Sequence, residues 1–316
     1  MRRQSESGAA ALVAVLIQSA AVGGALQMRL RRREAIMTTI KLWVSTIKST
    51  FANIPALLVF TALYALLLVS AYFFISTREA SLWQVFVTYA LMILIPVEFF
   101  LFNAAIVDRE RMQRFLWRAI FIDALKFFVI TIPVLLIVGL CYYLLNKLGG
   151  RWPTPVVVTL PATSAAARPQ PVHWPTLVFA TLRFVLLGIA APLALIHLWI
   201  AASGSELRNL VQKGAAALVK RIGSSLARAF AFESVLIYSL GLIVFFVLPY
   251  VVLFVPFSPK GNKADFTVFI LRLLLTFGLS FIGWVVTISA LTRNAAERPP
   301  EPSPNRSAAI AAEAAA

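Results

Sequence analysis

Ionisable side chains set inside apolar runs are the residues of this sequence whose chemistry demands an account. Glu98 lies near the middle of the apolar run from Trp83 to Val107, and Arg183 lies inside the run from Thr176 to Ala202. A charge at the centre of a bilayer costs at least about 2.5 kcal/mol, so both are functional candidates, together forming an intramembrane polar site. Two readings of Glu98 stay open: part of an ion or substrate site, or a hydrogen-bonded residue of a bundle interior. At a helical rise of about 1.5 Å per residue the two differ in depth by roughly 12 Å, so a direct pair requires Arg183 to reach inward.

A second pattern recurs at three places. Lys48 is followed five positions later by Asn53, Arg118 by Asp123 and Arg228 by Glu233, and each of these polar residues opens an apolar run long enough to cross a bilayer. In the first turn of a helix, free N–H groups and the macrodipole favour a carboxylate or amide. Ion binding is the sharper alternative. Lys126, one turn into its run, can lay its stem along the helix and extend its amine to the headgroups, and Arg272 can do the same.

Catalytic constellations do not emerge. The sequence holds no G-x-S-x-G elbow, no phosphate-binding P-loop and no H-E-x-x-H. Its histidines, His173 and His197, and its single cysteine, Cys141, give no metal-ligand spacing and no intrachain disulfide. The expectation is a protein without enzymatic activity, cofactor or metal.

The elements that must carry these residues follow from composition. Hydrophobic residues make up 60% of the 316 and charged ones 13%, against about 45 to 50% and 25% in soluble domains. Backbone groups in hydrocarbon must be bonded within their own segment, so continuous apolar runs are helices and the fold class is all-α. Six spans are expected: Asn53 to Ile75, Trp83 to Val107, Ile120 to Leu145, Thr176 to Ala202, Glu233 to Phe257 and Thr267 to Leu291. Thr38 to Thr50 and Gly204 to Arg228 alternate apolar and basic residues at helical spacing and suit the membrane interface. The proline-rich segment from Trp152 to Trp174 is expected to be extended.

The net charge of +16 points to a membrane surface, not nucleic acid, because the cations gather on one side of these spans. Lys41, Lys48, Arg114, Arg118, Lys213, Lys220, Arg221 and Arg228 are the basic interfacial residues. Both ends of the six-span core are therefore expected in the cytoplasm. Residues 1–37 are open to two readings, an extra span or a leader ahead of a later start, and residues 293–316 are expected to be a disordered cytoplasmic tail.

The basic-to-polar pattern, and an echo in the returning spans (Val85 to Leu91, Val178 to Arg183, Val268 to Arg272), suggest three parallel repeats covering about 38–107, 108–203 and 204–292. Each would be an interfacial helix followed by a transmembrane hairpin. The leading expectation is a multi-pass protein of the plasma membrane that serves as a scaffold or accessory subunit. Its basic helices would contact anionic lipid headgroups, a membrane protein partner or a second copy. The alternative is a transporter or permease subunit with its polar site near Glu98 and Arg183.

Overall fold

A computed structural model describes residues 33–77, 81–152, 173–203, 214–255 and 262–297. Helix α1 covers residues 33–52, α2 Ile54–Ser76, α3 Leu82–Met112, α4 Trp117–Gly149, α5 Trp174–Ala202, α6 Gly214–Ala229, α7 Phe232–Phe254 and α8 Asn262–Glu297. Six of them, α2, α3, α4, α5, α7 and α8, are long and apolar enough to cross a membrane, the pattern of a multi-pass membrane protein. The expectations for most of the N-terminal stretch, for the proline-rich segment, for Lys213 and for the tail beyond Glu297 fall outside the described residues.

Local chemistry accounts for the start of α2 and for both ends of α3. The Asn53 side chain accepts from the Ala56 N–H at 3.2 Å and Pro55 occupies the first turn, which starts α2 at Ile54. Ser81 does the same for α3 through the Gln84 N–H. At the other end of α3, Gln113 takes a left-handed conformation with φ of 56° and bonds back to the Arg109 carbonyl. Asp108 to Met112, expected as a charged connection, is therefore the last turn of α3, where Arg109 and Arg111 complement the carbonyl end of the helix. The tail likewise begins later than expected. Helix α8 runs to Glu297, with Thr292 buried and Arg293 paired to Glu110.

Helices α2 and α3, α4 and α5, and α7 and α8 pair as hairpins. The returning helices meet in the middle: α3 packs on α4 and α8, and α5 on α8, while α6 lies against α5. Leu42 and Trp43 of α1 cover the same core. That core is confined to one end. Phe102, Ile106, Leu193, Ile196, Val285 and Ile288 are almost wholly buried, whereas Ile75, Leu82, Trp83, Leu136 and Leu274 at the far ends or midway along stand exposed.

Aromatic contacts between different hairpins, Tyr64 with Phe281, Phe99 and Phe100 with Trp199, Phe100 with Phe128 and Phe102 with Phe281, all fall in the halves nearer the basic residues or at mid-helix. At the far end Trp152 stacks on Phe179 within the α4–α5 hairpin.

Prolines shape two of the spans. Pro192 in α5 and Pro249 in α7 have no N–H to give the carbonyl four residues back, which belongs to Gly188 and Phe245. Each helix widens into a π-helical stretch just before its proline, at Val185–Ala190 and Ile243–Val247. A hydroxyl from a neighbouring helix serves each freed carbonyl: Tyr238 of α7 donates to Gly188 at 3.0 Å, and Ser280 of α8 to Phe245 at 3.1 Å. Close approach of α7 and α8 rests on two glycines. A Cβ on Gly283 would meet the Phe245 backbone nitrogen at 2.7 Å, and one on Gly241 would overlap the Thr287 side chain. Gly278, also on α8, faces open space.

Candidate functional site

The basic end of the bundle holds a polar cluster built from five spans. Asp108, in the last turn of α3, is 3% exposed. Its Oδ1 accepts from the Ser203 hydroxyl at 3.0 Å, and its carboxyl group faces that of Asp123 on α4. Asp123 in turn pairs with Lys126 Nζ at 2.5 Å, one turn along α4. The Arg111 guanidinium donates to the Ser203 carbonyl at the C-terminus of α5. A cation at the carbonyl end of a helix is the arrangement electrostatics favours.

Further contacts extend the cluster across the remaining helices. Arg293 of α8 donates to Glu110 of α3 at 2.6 Å. The Trp284 indole N–H donates to Asn103 Oδ1, and that of Trp199 to Thr131 Oγ1, each at 3.0 Å. His197 Nδ1 lies 3.0 Å from the Leu193 carbonyl, which can only accept, so Nδ1 carries a proton. Its Nε2 meets the Ser234 hydroxyl at 3.2 Å, and Ser234 also accepts from Asn294 at 3.4 Å, which joins α5, α7 and α8. Most of these contacts match a donor to an acceptor between helices; Lys126 with Asp123 and His197 with Leu193 do so within one helix, and the carboxyls of Asp108 and Asp123 face each other.

The residues expected from the sequence are distributed differently. Glu98 is buried at 3% exposure and accepts from Ser70 of α2 at 3.0 Å. Arg183 lies beside Gly149 and Phe179 at the far end of the α4–α5 hairpin, and its Nε has no hydrogen-bond partner. Among the described residues no ion pair joins Glu98 to Arg183, and the structure does not bring the two together. Asn53 is a helix cap and Glu233 stands in the first turn of α7, as the pattern implied.

Asp123 departs from that pattern: it is buried six residues inside α4 with a partner on its own helix. Lys126 does not extend to the headgroups, because Asp123 holds it in the interior. Lys41, Lys48, Arg114 and Arg118 are exposed. Arg228 is half-buried and bonds the Ser224 carbonyl of its own helix, and Lys220 and Arg221 lie on α6. Sequence reasoning missed Asp108, Arg111, His197, Ser203 and Ser234 as site residues. The available signal was the mixed-charge run at 108–111, which continues a helix that an apolar count ends at Val107.

No protein-family model matches the chain, and no curated protein or solved structure is similar to it.

Proposed function

We propose that the protein is a non-enzymatic integral membrane protein of the plasma membrane, with its C-terminus in the cytoplasm. It acts as a scaffold or accessory subunit that grips anionic lipid, or an acidic partner, through its basic end. The observation that carries this reading is a sorting of charge. Asp108, Glu110 and Asp123 are all engaged inside the bundle by Ser203, Arg293 and Lys126. Lys41, Lys48, Arg114 and Arg118 remain on the exposed surface of the same end. With those three acids turned inward, these four exposed cations outnumber the exposed acids Glu34 and Glu297 of this end and leave a net positive face where an anionic leaflet would lie, worth about 1 kcal/mol of attraction per basic residue near the surface. Three parallel hairpins fit the convergence of α3, α5 and α8, although no separate interfacial helix precedes α4.

The test is lipid retention. The full chain is reconstituted in discs of phosphatidylcholine with one part in five phosphatidylglycerol, extracted in detergent, and its retained lipid measured. Reversing Lys41, Lys48, Arg114 and Arg118 to Glu should remove the preference for phosphatidylglycerol. An unchanged preference overturns the lipid half of the reading.

A second reading, a transporter or permease subunit, is favoured by Glu98, whose Oε2 is buried without a hydrogen-bond partner midway along α3, beside Pro96. An identified transport activity that survives Glu98→Gln overturns it.

A further inference from the structure

A half-open cavity of about 270 Å³ lies at the basic end, lined by residues of α3, α5, α6 and α8, with Arg111 at its exposed side. Its wall carries two guanidinium groups, Arg111 and Arg228, and the hydroxyls of buried Ser203, Ser225 and Thr292, with the His197 ring behind them. Among the described residues no carboxylate lines it. Among the described residues, neither arginine has an acid within ion-pair distance. Asp108, close enough to Arg111 to feel its charge, is turned toward Asp123 and Ser203.

The bonds that hold the two arginines leave most of their donors free. Arg111 gives one N–H to the Ser203 carbonyl, and Arg228 gives Nε to Ser224. A guanidinium has five N–H donors in a planar fork suited to the oxygens of phosphate. The carbonyl ends of α5 and α8 point toward this region and by themselves favour a cation. One such end is already answered by Arg111, and among the described residues no carboxylate accompanies the second guanidinium, Arg228, in the lining of this half-open space.

We infer that this cavity binds one phosphate group, presented by an anionic phospholipid headgroup or by a free phosphate ester, between Arg111 and Arg228. The inference rests on the lipid-contact reading for its lipid source. It differs from that reading in placing recognition in a pocket, not on the exposed cations.

The experiment has two arms on the full chain. Binding of radiolabelled inorganic phosphate is measured by equilibrium dialysis in maltoside micelles, which contain no phosphate. Phosphatidylglycerol retention is measured from the mixed discs described above. Arg228→Gln and Arg111→Gln should each lower affinity in the responding arm by about tenfold or more, the range for losing a hydrogen bond to a charged group. Because Arg111 also holds the end of α5, Ala296→Glu serves as a second variant: it sets a carboxylate at the rim from an exposed position in the last turn of α8. It should abolish binding without disturbing the fold.

Phosphate binding that falls in these variants identifies a free ester as ligand. Retention that falls with no phosphate binding identifies the lipid. Retention that falls only when Lys41, Lys48, Arg114 and Arg118 are reversed overturns the pocket and leaves the surface reading standing. Indifference to both sets overturns both.

Discussion

The Tyr238 hydroxyl donates to the carbonyl of Gly188, the group that Pro192 leaves without its helical partner. A proline bend in α5 is thereby tied to α7, and the same device recurs between Ser280 and Phe245 ahead of Pro249. Tyr238→Phe should lower stability by about 0.6 kcal/mol and by no more than about 1.7, the span measured for hydrogen bonds between membrane helices. In a Pro192→Ala background, where an N–H returns to serve Gly188, the same change should cost less. Unfolding in mixed micelles, read as a double-mutant cycle, measures the difference. Equal costs in both backgrounds would mean that the proline and the tyrosine are uncoupled.

Gly283→Ala should loosen α7 from α8. Its new methyl would lie 2.7 Å from a backbone nitrogen, which cannot rotate away. A cost of about 1 to 3 kcal/mol is expected for such overpacking. Gly278→Ala, where nothing stands within 4 Å, is the internal control and should be neutral or stabilising. Reversal of that order in a denaturation series would contradict the packing of this pair.

Lys126→Met removes the cation from a buried pair and leaves Asp123 beside Asp108. Loss of one member of such a pair typically costs about 3 to 5 kcal/mol. Adding Asp123→Asn removes the charge left behind and should recover part of the loss. Thermal unfolding of the two variants would show it, and a harmless Lys126→Met would place the amine outside the interior.

Glu98→Gln keeps the oxygen that accepts from Ser70, so its effect on folding should stay within about 1 kcal/mol. Glu98→Leu abolishes that acceptor and should be the more damaging of the two. Similar stabilities for both would mean that the bond to Ser70 contributes nothing.

Most span boundaries were legible because an uninterrupted apolar run is a one-dimensional signal. The helix beginning at Ile54 was also readable, since Asn53 and Pro55 act within one turn. The role of Asp123 was not. Its three-residue spacing to Lys126 is local, but the same spacing serves a solvated pair equally well, and only burial against Asp108 separates the two. The Asp108 to Arg111 run misled for a related reason. Charges end an apolar count, yet they do not end a helix whose last turn finds an acid, a base and a serine waiting on its neighbours. Glu98 and Arg183 were chosen by depth along their own helices, and depth contains no information about which faces meet.

The confinement of the core to one end of the spans has a mechanical consequence. Helix α8 has 36 residues and α4 has 33, so each is about 50 Å long or more, against roughly 30 Å of hydrocarbon. Part of that surplus is polar helix end outside the hydrocarbon, such as Arg293 to Glu297 of α8, and tilt accommodates the rest. Hairpins clamped at their basic ends can tilt only by pivoting there, as legs of a tripod do about its head. Thinning or stretching of the bilayer would then change the footprint of the protein in the far leaflet while leaving the near one almost constant.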